Sequence, residues 1–457
     1  MPGTQNLPLS PLRRLPATFV TSHSMHRIVT KYTIPDPLLF RQQLLQWAQT
    51  HREAVFLKSN GYPSRFVKWE AILAVDALTQ ICTGDAGAFE ALSEYRRTTS
   101  DWLFGYLSYD LKNDTEALSS GNVDGLGFPD LFFFQPKKLF FLYGDTVELH
   151  YLPLCDDELE PDWTDIGNRQ PDTVSASDVT NIVQRVDKAA YLSKIAALQE
   201  HIHRGDIYEV NFCMEWYAMD ATIRPASLFH RLNAVSAPPF AAFLKRHHDY
   251  LLSASPERYI AKKGTTIVSQ PIKGTAPRSA DVDADARNRE TLATNAKDRA
   301  ENIMIVDLVR NDLSRTATKG SVEVEELCGI HTFPQVHQMI STIVSEIAPQ
   351  TDPVEVLRTT FPMGSMTGAP KISAMQLIEE FEESKRGLYS GAMGYFTPEG
   401  DFDFSVVIRS ILYQADRKYV SFSAGSAITA LSDPEAEYEE CLLKSAAMKR
   451  VLLSNNQ

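Results

Sequence analysis

"GAMGYFTPEGDFDFSVVI", Gly391 to Ile408, decides the fold class. Aromatic and β-branched residues flank Pro398-Glu399-Gly400, and a proline and a glycine at that spacing turn the chain back on itself. Strands joined so tightly must run antiparallel, because parallel neighbours need a crossover of about a dozen residues or more. A doubly wound parallel sheet is thereby excluded for this part of the chain.

Outward from the hairpin the texture continues. "FSVVIRSIL" (404–412), "LLSAS" (251–255) and "TTIVSQ" (265–270) read as strands. Between them lie helical patterns near 285–312, 352–359, 370–383 and 434–453, and a helix over Lys188–Arg204. That helix has Ile195, Leu198 and Ile202 on one face and Gly205 as its stop. Strands and helices interleave irregularly, which predicts an α+β fold with antiparallel sheet.

Towards the amino terminus, "EAVFLKSN" (53–60) reads as a strand and "WEAILAVDALTQI" (69–81) as a helix with apolar residues at helical spacing. "LFFFQPKKLFFLY" (131–143) reads as two buried strands around a turn, since Pro136, Lys137 and Lys138 interrupt it well short of the ~20 apolar residues of a membrane span. "CDDELEPDWTDIGNRQPDTVSASD" (155–178) is acidic, contains proline and shows no periodicity, so it is expected to be a linker. The boundary therefore falls near residue 180: an amino-terminal α+β part over 25–180 and a larger part over 181–457. Residues 1–24 have no acid, four prolines, Arg13 and Arg14, and are expected to be either a disordered tail or an extension ahead of a true start at Met25.

Composition narrows the function classes. The 457 residues are 44% hydrophobic and 23% charged, ordinary for a globular protein. A net charge of −13 argues against nucleic acid as a partner, because neutralising phosphates requires clustered Lys and Arg. Cys82, Cys155, Cys213, Cys328 and Cys441 form no CxxC pair and are odd in number, the pattern of reduced thiols in a cytoplasmic protein. No zinc spacing, Ser-His-Asp order or GxGxxG is present.

Several segments carry groups suited to chemistry. In "SDPEAEYEECLLKSAAMKR", Ser432 and Glu435 have capping-box spacing and Pro434 fits the first turn. At ~100° per residue Glu437, Glu440 and Lys444 share one stripe, while Glu435 and Glu439 face away. That stripe is either an exposed Glu–Lys ladder or, with hard carboxylate oxygens close together, a Mg²⁺ site. Glu301 stands at the edge of the apolar run Ile303–Val306, where a salt bridge to Arg299 or a nearby lysine is the alternative to a metal ligand. Gly364, Ser365, Thr367 and Gly368 form a small-residue turn before a helix that begins near Pro370. Such a turn is either a plain capped start or a site for a carboxylate or phosphate. Glu257, after Pro256, is placed at a strand end from which it can donate a proton. Lys273, in "VSQPIKGTAPR" (268–278), is pinned in a Pro271–Gly274 turn that follows the strand.

Together these blocks resemble the chorismate-utilising enzymes, a family that includes anthranilate synthase component I, aminodeoxychorismate synthase component I, and isochorismate and salicylate synthases. The likeness rests on "GDIYEVN", "SPERY", "QPIKGTAPR", "AENIMIVDLVRNDL", "GSMTGAPKISAMQLI", "RGLYSGAMGY", "VVIRS" and "SDPEAEYEECLLK", and extends to "WLFGYLSYDL" (102–111). It implies an anthranilate-synthase-component-I-like fold, an antiparallel β-sandwich core flanked by helices, with 181–457 as the chorismate-binding catalytic domain.

Residue by residue, the resemblance implies Mg²⁺ held by Glu301, Glu437 and Glu440, and Glu257 as the general acid for the departing C4 hydroxyl. Tyr389, Arg409, Thr275, Gly425 and Lys444 match residues around the substrate carboxylates, and Gly274, Ser365 and Glu209 are implied as further substrate contacts. Where anthranilate-type relatives read Pro-Ile-Ala-Gly-Thr, this chain has lysine, as in the aminodeoxychorismate branch. Lys273 is then the implied nucleophile, its pKa expected to be lowered by partial burial beside Mg²⁺ and other cations. Glu209 replaces the water-activating lysine of isochorismate-forming relatives, which argues against water as the nucleophile. "VHQMIS" puts Gln338 where many relatives carry histidine, with His337 one residue earlier, and Ala427 replaces a frequent glycine. The implied activity is a transferase-type amination of chorismate at C4 towards 4-aminobenzoate and folate. Anthranilate synthesis is the alternative. No glutaminase motif is visible, so ammonia is expected from a glutamine amidotransferase partner.

Overall fold

A computed structural model describes residues 26–170, 177–333 and 336–453. The expected tail over 1–24 lies outside the described residues. The core is an antiparallel β-sandwich flanked by helices, as expected. It is built around two long partnered strands, Ala71–Thr83 and Leu131–Tyr143. From one end of this pair a run of antiparallel strands leads through Glu53–Lys58, Phe240–Arg246, Asp249–Ser255, Ser410–Gln414 and Tyr419–Ile428 to Glu209–Ala218. From the other end a second run leads through Leu103–Leu107, Ala392–Phe396, Phe402–Val406, Arg258–Lys263 and Thr266–Gln270 to Val336–Glu346. Strands from before residue 180 thus pair with strands from after it.

Side chains alternate across each strand, so one strand feeds two cores. Ala54 and Phe56 face a cluster shared with the helices Pro37–Ala48, Lys188–Arg204, Pro225–Ser236 and Pro434–Leu453. Val55, between them, faces the cluster between the two runs, where Tyr259, Phe404 and Tyr106 pack with Ile305 and Val309 of the helix Ala296–Ser314. The hairpin Ala392–Phe396 with Phe402–Val406 is present as predicted. Helices Lys188–Arg204, Pro353–Thr360, Lys371–Phe381 and Pro434–Leu453 also match their predicted places. Among the described residues no helix is long and apolar enough to cross a membrane.

Six local expectations are corrected. The segment 69–81 is not a helix: Ala71–Val75 is uniformly buried between two strands, and a short continuous apolar run fits a two-sided strand as well as a helix. Leu131–Tyr143 is one strand without a turn; Pro136 is accommodated where the ladder slips a residue between Ala77 and Thr79. Lys138 is tolerated there because Glu158 and Asp162 bind its ammonium at 2.6 and 2.5 Å.

Those two acids belong to the supposed linker. Its first part is a 3₁₀ turn, Pro153–Glu158, running into the helix Leu159–Asn168; 171–176 lie outside the described residues. Leu159, Trp163 and Ile166 form a buried i, i+4, i+7 face, and Trp163 stacks on Tyr32 at 4.1 Å. The pattern near 285–312 divides into Val282–Thr294 and Ala296–Ser314, because Asn295 leaves the helix and caps the second one, accepting from Asp298 N at 3.0 Å. The C-terminal helix is capped by Asp433, not Ser432. "FSVVIRSIL" breaks at Val407–Arg409, where Arg409 takes a φ of +50°. Of the cysteines, none in a disulfide, Cys82 is exposed and the other four are buried.

Candidate active site

Lys273 does not sit in a turn. The chain passes from Thr266–Gln270 into a further strand, Ile272–Pro277, on the same partner Val336–Glu346. Ile272 pairs with Ile340 and Thr275 with Gln338, so one extra residue is accommodated between them. The result is a β-bulge, and Gly274 supplies the positive φ, +80°, that it requires. A Cβ on Gly274 would come within 2.9 Å of both Asp298 and Leu292. The bulge aims Lys273 at Glu209, the first residue of Glu209–Ala218, with Nζ 3.0 Å from Oε1.

The chain's own residues shift the lysine upward. Burial favours the neutral amine, but Glu209, Glu301 and Glu257 outweigh it and hold the ammonium above the ordinary lysine range. Carboxylates of the chain surround it, Glu301 among them.

Glu257 links Asp249–Ser255 to Arg258–Lys263 and is 5% exposed. Burial raises its carboxyl from 4.5 to about 7, against the opposing pull of the Ser365 hydroxyl, Lys273, Arg409 and Lys444. Ser365 donates to its Oε1 at 2.6 Å from the short helical turn Gly364–Met366. That turn is tied to the strand carrying Glu209 by a buried guanidinium that sequence reading passed over. Arg386 donates to Met366 O and Asn211 O, both at 2.7 Å, and pairs with Glu382 at 2.6 Å.

Arg409 is largely buried and, among the described residues, has no hydrogen-bonded or ion-paired partner for its guanidinium. Burial pulls its pKa below the ordinary arginine range, with Glu257 opposing. An arginine left in that state lacks an anion.

The three acidic residues expected around Mg²⁺ come from two helices. Glu301 and Glu437 are 8% and 1% exposed, and Glu440 pairs with Lys444 at 2.6 Å. Lys297, one turn ahead of Glu301, reaches Glu437 at 2.6 Å and Glu301 at 3.7 Å. Its i, i+4 spacing to Glu301 was the available sequence signal. Among the described residues no three His, Cys, Asp or Glu groups converge into a ready-made cation cage. Yet Glu301 Oε1 and Glu437 Oε2 are buried and accept no hydrogen bond among the described residues, and burial raises the Glu301 carboxyl to about 7. Hard, oxygen-only donors with buried atoms that lack a hydrogen bond fit a divalent cation such as Mg²⁺.

Other expected contacts are placed variously. Lys444 donates to Gly425 O at 2.9 Å; a Cβ on Gly425 would lie 2.4 Å from Cys213 Sγ. Thr275 is exposed on the bulged strand. Tyr389 is buried with its hydroxyl on Cys213 Sγ at 3.7 Å, so its polar end is already engaged. His337 is a structural residue: its ring contacts Thr332 and Asp285 at 3.0 and 3.1 Å. A separate, mostly apolar cavity of about 400 Å³ is lined by Pro256, Arg258, Gln270 and Ile272, the residues that alternate with Glu257 and Lys273.

Comparison with known proteins follows the same outline. The model of the family described as chorismate binding enzyme matches residues 53–450. Aminodeoxychorismate synthase of Streptomyces griseus is 37% identical over 77% of this chain and 50% of its own length. Aminodeoxychorismate synthase component 1 of Escherichia coli (strain K12) is 42% identical over 55% of this chain and 54% of its own. The chain thus spans about half the length of these curated relatives. Among solved structures, anthranilate synthase component I from Streptococcus pneumoniae TIGR4 superposes with a TM-score of 0.75. It covers 85% of this chain and 93% of its own at 22% identity.

Proposed function

The chain belongs to the chorismate binding enzymes, and from that premise we propose that it aminates chorismate at C4 to give 4-amino-4-deoxychorismate. Ammonia would come from a glutamine amidotransferase partner, and the product would lead to 4-aminobenzoate and folate. The observation that carries the reading is Lys273, held by a bulge within the field of Glu257 and Glu209. The relatives named aminodeoxychorismate synthase support the same branch.

Glu301, Glu437 and Glu440 would hold Mg²⁺, which when bound would fix the ring carboxylate of chorismate. Arg409, without an anion of its own, is suited to bind a carboxylate of the substrate. Glu257, at about 7, is protonated in a large fraction of molecules near neutrality and gives its proton to the C4 hydroxyl, which departs as water. The Lys273 amine adds at C2 as that bond breaks. Ammonia then attacks C4, the C2–N bond breaks, and the proton from the new C4 ammonium resets Glu257. The bulge supplies the near-attack placement.

Anthranilate synthesis is the second reading, favoured by the likeness in fold to an anthranilate synthase component. Mass analysis of the product from chorismate, Mg²⁺ and ammonium salts separates them, because anthranilate has lost pyruvate and 4-amino-4-deoxychorismate has not. The expected product retains pyruvate, and Lys273→Ala should lose its formation by several kcal/mol of barrier. Anthranilate from the unsubstituted chain, or undiminished turnover by Lys273→Ala, overturns the proposal.

A further inference from the structure

The lysine poses a difficulty that its surroundings answer. A nucleophilic amine must be neutral, yet the Lys273 Nζ is ion-paired with Glu209 at 3.0 Å. The Lys273 side chain is 11% exposed, and Glu209 is the hydrogen-bond acceptor that its Nζ meets among the described residues. We infer that Glu209 is a positioning residue that takes the proton of Lys273 before attack and returns it when the lysine leaves.

The inference rests on the amination reading above, and three observations single out Glu209. Its Oε1 is in contact with Nζ at 3.0 Å, so the proton moves along an existing hydrogen bond. Its Oε2 is buried and accepts no hydrogen bond among the described residues, which leaves the carboxyl room to hold a proton without giving up another partner. The rival acceptors are committed: Glu257 must itself carry a proton for the C4 hydroxyl, and Glu301 faces Lys297 and the cation site. The place of Glu209 is fixed by the backbone, through the pairing of Ala369 with Glu209 and the Arg386 clamp two residues further along.

The proton balance closes. The pair Lys-NH₃⁺ and Glu-COO⁻ becomes Lys-NH₂ and Glu-COOH, and the amine forms the C2–N bond while the C4–O bond breaks with Glu257's proton. When ammonia forms the C4–N bond, the C2–N bond breaks and lysine departs as Lys-NH₂. Glu209 then returns the proton it has held. No proton need be exchanged with solvent at Lys273.

That last point gives the test. In Glu209→Gln the lysine must lose its proton to solvent, so the rate through this step tracks pH. The ratio of kcat for Glu209→Gln to kcat for the unsubstituted chain cancels the titrations of Glu257 and ammonia, which are common to both. We expect the variant to be on the order of 10²-fold slower at pH 7.5. The ratio should rise about tenfold per pH unit until the lysine titrates. Glu209→Asp, which keeps an acceptor, should give a level ratio. A level ratio for Glu209→Gln would overturn the inference, since a merely structural role lowers the rate equally at every pH. If Glu209→Gln shows no turnover at any pH, carbamylation of Lys273 by cyanate decides, read by peptide mass at pH 8. Labelling at least tenfold slower than in the unsubstituted chain upholds the inference, and equal or faster labelling overturns it. Failure of the amination reading looks different: Lys273→Ala would then turn over normally, whatever Glu209 does.

Discussion

Glu257→Gln offers a thermodynamic check on the acid assigned to the leaving group. The amide keeps the shape of the side chain and can still accept from Ser365, but it cannot titrate. Burial lifts the native carboxyl from 4.5 to about 7. At about 1.4 kcal/mol per pH unit, that displacement corresponds to about 3 kcal/mol of differential stability. The sign follows from proton counting. Between 4.5 and 7 the folded chain binds more protons at this site than the unfolded chain, so the site's contribution to stability is complete below 4.5. It falls away as pH rises through about 7. Glu257→Gln should therefore gain on the unsubstituted protein by about 3 kcal/mol between pH 4.5 and pH 8, as other titrating groups are common to both chains. Urea midpoints of the two proteins at several pH values, compared at equal m, provide the measurement. A stability difference that stays constant across this range would refute the placement of a protonated carboxyl at Glu257. The variant should also lose general-acid catalysis, about 10²–10⁴-fold in turnover.

Three further outcomes are expected. Glu301→Gln, Glu437→Gln and Glu440→Gln should each abolish Mg²⁺-dependent turnover and leave far-ultraviolet circular dichroism unchanged, because neutral amides cannot balance the ion; retained Mg²⁺ dependence in all three would remove the site. The isolated chain should be inactive with glutamine as sole nitrogen donor and active with ammonium salts at high pH, and product formation from glutamine alone would contradict this. Trp163→Ala, which removes the ring stacked on Tyr32, should destabilise the protein by about 3–5 kcal/mol, read as a lowered urea midpoint.

The hairpin and the C-terminal helix were legible because their patterns are local: a turn triplet between apolar runs, and a 3.6-residue stripe closed by a proline at its start. Strand Ala71–Thr83 was not, because a strand buried on both faces loses its alternation and resembles a buried helix. Helix Leu159–Asn168 was missed because three buried residues among many acids carry its pattern, and the composition of a linker masked them. At the candidate site the resemblance offers residue types, whereas the charge relations among them belong to the assembled fold. The contact between Lys273 and Glu209 joins residues 64 positions apart, and the lysine's raised pKa depends on it. The free state of Arg409 is likewise a property of the assembled fold.

The bulge at Lys273–Gly274 makes chain length itself part of the catalytic specification. Between Ile272 and Thr275 the strand is one residue longer than its partner needs. Deleting that surplus residue would let the ladder close in regular register. With a side-chain period of two, the lysine's surroundings would then be set by a different parity, towards the side that Gln270 and Ile272 line. An alignment that scored only residue identity would still find a lysine in such a chain, although its amine would no longer meet Glu209. On the proposed reaction, insertions and deletions in this segment amount to active-site mutations, and the lysine is defined by its count along the strand as much as by its chemistry.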